Sequence, residues 1–145
     1  MPASPDSQAR TRAFARVVGP WLVLVPGIIF LRAADMSGLA AEFFKSTLFV
    51  WFAGALLVFA GLLIIAFHPY WSSVAAVIIS LFGWILELRG LLLMAAPKLY
   101  ERAGVLAESV SNVRLIFGVL IGAGLYLTYV GWIAKAGSPS IQSGA

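Results

Sequence analysis

Residues that commonly carry chemistry are scarce in this chain of 145 residues. It has no cysteine and one histidine, and only 11% of its residues are charged. The absence of cysteine excludes disulfides, thiolate nucleophiles and iron–sulfur clusters. The sequence also contains no Ser/His/Asp set, phosphate-binding glycine loop, HExxH motif or pair of carboxylates at catalytic spacing. We therefore expect a protein that is not an enzyme and that holds no metal or cofactor.

Apolar residues make up most of the remainder. Hydrophobic residues account for 61% of the chain, and the mean hydropathy is +0.97. A soluble domain has about a quarter of its residues charged, so the solvent of this chain must be a bilayer. The net charge of +4 and the pI of about 9.9 then indicate membrane lipid as a partner, with lysine and arginine beside anionic headgroups, and no nucleic acid.

The apolar residues form four runs, each approaching the ~20 residues that cross a hydrocarbon core of ~30 Å. The predicted fold is all-α: a polytopic bundle of four transmembrane helices, with two short amphipathic helices lying at the interface. The predicted spans are residues 17–33, 47–67, 72–96 and 113–133. The predicted interfacial helices are residues 35–46 and 98–112.

The predicted domain organisation places one transmembrane domain, residues 17–135, between two tails. Residues 1–16 are predicted to be a disordered basic tail, and residues 136–145 a flexible tail rich in glycine and serine. A cleaved signal peptide is the alternative interpretation of the first apolar run. The sequence disfavours it, because Arg32 stands where a small residue is needed before the cleavage site.

The two halves of the chain resemble each other at an offset of 63 residues. Residues 27–30 then align with residues 90–93, and residues 60–62 align with residues 123–125. Each half would hold a span, an interfacial helix and a second span, related by a pseudo-twofold axis along the membrane normal. Chance identity among apolar residues is the alternative explanation.

The orientation in the membrane is indicated by charges near the first span. Four spans place both termini on one side, and Arg10, Arg12 and Arg16 precede the first span to insert. Although lysine and arginine are nearly balanced between the two sides, these arginines favour cytoplasmic termini. We expect a multi-pass protein of the bacterial inner membrane.

Glu87 and Arg89 are the ionisable pair deep inside a predicted span. A charge there costs about 2.5–3.5 kcal/mol on insertion scales and usually faces protein, water or a partner. The two residues are about 200° apart around a helix and cannot pair side by side. Glu87 is a candidate proton or cation site, and Arg89 a candidate contact for a lipid phosphate. The alternative is that both have a structural role.

Aromatic and turn residues follow the second span. Pro69 forces the helix to end, and Tyr70 and Trp71 suit the headgroup boundary. His68 is expected to cap carbonyls or to contact headgroups, with haem ligation as the alternative. Trp84, inside the third span, is expected to pack against the protein, although stacking on a pigment or quinone remains an alternative.

Glycines recur along two of the spans at intervals that suit close helix packing. Small residues allow helices to approach each other, either within the chain or in a homodimer or a complex with another membrane protein. The candidate packing positions are Gly54, Gly61, Gly118, Gly122 and Gly124.

Residues 50–100 resemble a family of small, uncharacterised bacterial four-helix membrane proteins. The pattern comprises a His-x-x-Trp turn at residues 68–71, Gly83-Trp84, Arg89-Gly90 and Pro97. The chain departs from it at Glu87, where the family pattern has an apolar residue. The resemblance implies a four-helix membrane bundle and brings no activity or cofactor.

Three functions from different classes are compatible with these observations. We expect a non-enzymatic accessory or structural membrane subunit, or a stand-alone membrane protein. The alternatives are a small oligomeric transporter or channel that uses Glu87, and a binder of pigment, haem or quinone.

Overall fold

The computed structural model describes residues 4–107 and 109–134. These residues form helices and contain no strand. The six helices are α1 (Pro5–Leu31), α2 (Met36–Lys45), α3 (Thr47–Phe67), α4 (Val74–Ala95), α5 (Pro97–Ala107) and α6 (Val110–Thr128). A 3₁₀ turn (Ala33–Asp35) precedes α2, and a π-helical turn (Tyr129–Ile133) continues α6.

Four of these helices are long and apolar enough to cross a membrane, namely α1, α3, α4 and α6 with its π turn. Large apolar side chains cover their outer surfaces, as on the exposed faces of Phe52, Phe59 and Leu115. Such a surface is stable in lipid and not in water. The predicted all-α bundle of four spanning helices is confirmed, and the chain is a multi-pass membrane protein.

A serine begins each of the four long helices. The hydroxyl oxygens of Ser4, Ser46, Ser73 and Ser109 each accept a hydrogen bond from the backbone N–H three residues further on. These bonds satisfy N–H groups that have no partner inside the helix. Ser109 also explains why α6 begins at Val110, three residues before the predicted span.

The predicted disordered tail is wrong for the described part of residues 1–16. Residues 5–16 form the first three turns of α1, with Pro5 at the start of the helix and Asp6 in its first turn. Ser7 and Thr11 are buried against the rest of the bundle. Hydropathy could not show this, because the segment is polar and is held by contacts with distant residues. The predicted C-terminal tail, residues 136–145, lies outside the described residues.

The bundle consists of two closely packed antiparallel pairs, α3 with α4 and α1 with α6. Contacts between α1 and α4 join the pairs, and Leu22, Ile79 and Leu127 are fully buried between them. The predicted repeat relates α1 to α4 and α3 to α6. Applying it therefore converts the α3–α4 pair into the α6–α1 pair. The packing is therefore compatible with the predicted twofold repeat.

The two ends of the bundle, as far as the structure describes them, carry different elements. At one end, here called the terminal end, lie the start of α1, His68 and the end of α6. The opposite end carries both short helices, α2 and α5, whose Phe44 and Tyr100 rings are 6.2 Å apart. The terminal end holds the histidine, and the opposite end holds Arg89.

Candidate functional site

A buried polar network centres on His68 at the terminal end. His68 is the residue immediately after α3, and its side chain is fully buried. Its Nε2 atom is 3.0 Å from the hydroxyl oxygen of Thr11 on α1. Its Nδ1 atom is 3.2 Å from the hydroxyl oxygen of Ser80 on α4. One imidazole thus links three helices across the junction of the two antiparallel pairs.

The hydrogen bonds of Ser80 indicate which nitrogen of His68 carries the proton. The Ser80 hydroxyl lies 2.8 Å from the carbonyl oxygen of Tyr70 and 3.1 Å from that of His68. It has one hydrogen, which it donates to these carbonyls, so its oxygen accepts from Nδ1–H. Nε2 is then unprotonated and accepts from the Thr11 hydroxyl. This assignment gives a neutral imidazole with both nitrogens satisfied.

The expectation that His68 caps carbonyls or contacts headgroups with its side chain is wrong. Its ring packs edge-on against Phe14 of α1, with the centroids 5.3 Å apart, and against Tyr70 at 5.5 Å. Pro69 and Trp71 are exposed in the turn that follows. The sequence signal that could have shown the network was Ser80, a hydroxyl inside an otherwise apolar run.

A cavity of about 160 Å³ lies beside the network. It is lined by Ile65, His68, Pro69, Trp71, Ser80 and Trp84. Both nitrogens of His68 are hydrogen-bonded within the bundle, so the imidazole offers this cavity no free ligand atom. The described residues also contain no group of three His, Cys, Asp or Glu side chains that could hold a metal ion.

The network should make stability depend on pH. Burial lowers the pKa of His68 below its ordinary value of 6.5, because desolvation disfavours the charged imidazolium. The unfolded chain then binds a proton at a higher pH than the folded chain, so the free energy of unfolding decreases as the pH falls below about 6.5. No described carboxylate forms an ion pair with His68 to offset this effect.

We therefore expect the thermal unfolding midpoint in detergent to be lower at about pH 5 than at about pH 7, the range in which histidine titrates. His68→Gln has no group that titrates in this range and should show a smaller fall. Equal pH slopes in the parent protein and the variant would contradict the assignment.

Two arginines of α1 bind the C-terminal end of α6. Arg12 donates to the carbonyl oxygen of Ala134, and Arg16 Nε donates to that of Gly131 at 2.9 Å. The Arg16 guanidinium also lies 5.8 Å from the centre of the Trp132 ring. Carbonyls at a helix C-terminus lack partners inside the helix and carry partial negative charge, so these arginines stabilise the end of α6.

Glu87 is a residue of α4 and lies where α4 packs closely against α3. The Oε2 atom is buried and has no hydrogen-bond partner among the described residues. The backbone of Glu87 is close to Gly61 of α3, where an added Cβ atom would lie 2.7 Å from the Glu87 nitrogen. A carboxyl oxygen without a partner inside a spanning helix is energetically unfavourable and is typical of a functional group.

The side chain of Arg89 lies against α5, away from the α3–α4 contact at Glu87. Its side chain is exposed, and its guanidinium lies 5.5 Å from the centre of the Tyr100 ring on α5. The structure therefore does not bring Glu87 and Arg89 together. The predicted polar site consists of two separate features of α4.

The candidate glycines fall into two groups. Gly54, Gly61 and Gly124 lie where a Cβ atom would clash with a neighbouring helix, at 2.6, 2.7 and 2.8 Å respectively. A Cβ at Gly118 would meet only Phe30, at 3.8 Å, and one at Gly122 would meet no described atom within 4 Å. Close packing at Gly118 and Gly122 is therefore not a feature of the described chain.

No protein-family model matches this chain, and no curated protein or solved structure matches it either.

Proposed function

We propose that this multi-pass membrane protein is a non-enzymatic accessory or structural subunit. The observation that carries the proposal is the role of its polar side chains at the terminal end. Thr11, His68 and Ser80 join α1, α3 and α4, while Arg12 and Arg16 hold α6. The groups best suited to chemistry thus stabilise the arrangement of the helices.

The outer surface supports the same proposal. Exposed apolar side chains line all four spanning helices, and α6 is the least buried of the four. A bundle with little internal burial gains stability from lateral contact with another membrane protein, because such contact adds van der Waals packing that lipid alone supplies less well.

Native mass spectrometry of the tagged protein, released gently from its own membranes, tests this proposal. We expect a complex with a larger membrane protein at fixed stoichiometry. The same purification of an unrelated tagged four-helix membrane protein controls for nonspecific capture. Release as a monomer or dimer carrying only lipid would contradict the accessory role.

A second candidate is a small oligomeric transporter or channel, favoured by the unpartnered carboxyl oxygen of Glu87. In proteoliposomes, Glu87→Gln should then abolish proton-coupled flux, since the amide cannot release a proton. Glu42→Gln is the matched control, because Glu42 is an exposed carboxylate paired with Lys45. Absence of flux in the parent protein, or equal flux in Glu87→Gln, would exclude this role.

We also propose that the chain is one of the small bacterial membrane proteins that it resembles. The pattern over residues 68–97 and the four spans support this assignment, together with a location in the inner membrane. The arginines at the start of α1 support cytoplasmic termini. Reporter fusions at Ala145 and near Ser37 should then report the cytoplasm and the opposite side respectively. Identical signals would exclude the even number of spans.

A further inference from the structure

We propose that Arg89, beside the ring of Tyr100, binds the phosphate of an anionic phospholipid. Arg89 lies six residues before the end of α4 at Ala95, which places its Cα about 9 Å along the helix from that end. Its neighbours on the same helix face, Ile85 and Leu92, are exposed apolar side chains. The guanidinium therefore emerges from a surface that faces lipid, within reach of the headgroup layer.

The positive charge of Arg89 is not neutralised by a described residue. The ion pairs among the described residues are Arg32–Asp35 and Glu42–Lys45, and neither involves Arg89. Glu87 is two positions away on a different face of the helix. An unpaired guanidinium at this depth is stabilised by an anion from outside the chain.

Tyr100 contacts the guanidinium while the hydrogen-bond donors of Arg89 remain available. The guanidinium carbon lies 5.5 Å from the centre of the Tyr100 ring, a distance at which the ring face attracts a cation. No side-chain hydrogen bond or ion pair among the described residues involves Arg89, so its N–H groups can form two parallel bonds to phosphate oxygens, a geometry for which guanidinium is well suited. Tyr100 is itself placed by α5 and by its contact with Phe44 of α2.

The phosphate of a lipid fits this position better than a soluble anion. Arg89 is part of a spanning helix, whereas Tyr100 is part of a short amphipathic helix at its end. A group between them lies where phospholipid phosphates lie, at the boundary of the hydrocarbon. Lys98 and Arg102, both exposed on α5, outnumber the exposed Glu101, so this helix adds positive charge at the same end. A lipid of net negative charge is therefore favoured over a zwitterionic one.

The test is native mass spectrometry of the full chain from nanodiscs containing equal amounts of phosphatidylglycerol and phosphatidylcholine. We expect the parent protein to retain one phosphatidylglycerol molecule preferentially. Arg89→Gln should lower that retention about tenfold, because one charge-assisted bidentate contact is lost. Tyr100→Phe should retain the lipid, whereas Tyr100→Leu should lose part of it, because only the latter removes the ring.

The matched control is Arg32→Gln, which removes the same charge at the same end from an arginine already paired with Asp35. Equal losses in Arg32→Gln and Arg89→Gln would overturn the proposal, as would equal retention of both lipids by the parent protein. The parent measurement requires no variant to fold. Displacement of the lipid by millimolar inorganic phosphate would show a soluble-anion site and overturn the assignment to lipid.

Discussion

Alanine at Gly124 is expected to destabilise the bundle by about 1–3 kcal/mol, the usual effect of overpacking. The added Cβ atom would lie 2.8 Å from the backbone carbonyl carbon of Leu22 and 2.9 Å from the carbonyl oxygen of Gly19. These are backbone atoms of α1, which cannot move aside by a change of rotamer. Helices α1 and α6 would have to separate, and the packing between them would be lost.

Gly122 provides the matched control, because it lies two residues earlier on the same helix. A Cβ atom there would meet no described atom within 4 Å, so Gly122→Ala should be neutral or slightly stabilising through its higher helix propensity. The measurement is the free energy of unfolding of both variants in the same detergent. Equal destabilisation by the two substitutions would show that α1 and α6 do not pack through Gly124.

Replacing His68 by alanine is the second substitution with a large expected effect. The change leaves a cavity and removes the partner of Thr11, and we expect a loss on the order of 3 kcal/mol. Ser80 would keep its bonds to backbone carbonyls. The decrease in the free energy of unfolding should therefore come mainly from the weakened contact between α1 and the α3–α4 pair.

A double-mutant cycle with Thr11→Val measures that contact directly. The effects of His68→Ala and Thr11→Val should be less than additive, because each removes the same hydrogen bond. His68→Gln, which can accept from Thr11, should recover part of the stability. Additive effects and no recovery in His68→Gln would indicate that the imidazole only fills space.

The spans could be predicted from the sequence because their cause is local. Each apolar run in α3 and α4 has the length of a hydrocarbon core, and Pro69 and Pro97 fix where two helices end or begin. In a bilayer a spanning segment satisfies its backbone groups within its own helix, so the length and hydropathy of an apolar run indicate a helix there.

The partners of His68 could not be predicted: Ser80 indicates a polar contact on α4, but the partner from α1 is distant in the sequence. Thr11 and His68 are 57 positions apart, and Thr11 lies in a segment whose polarity resembles that of a tail. The separate surroundings of Glu87 and Arg89 were partly predictable. Their spacing excludes a direct pair, but only the fold shows that Gly61 faces one and Tyr100 the other.

The bonds from Arg16 to the end of α6 have a consequence for biosynthesis. Helix α1 packs against α6 and its π turn, and the hydrogen bond from Arg16 to Gly131 spans 115 residues of sequence. At about 5–20 residues per second, roughly 6–23 s of translation separate the appearance of Arg16 from that of Gly131. During that interval α1 lacks its main partner in the bundle, so the contact between α1 and α6 forms only after the π turn at the end of α6 has been synthesised.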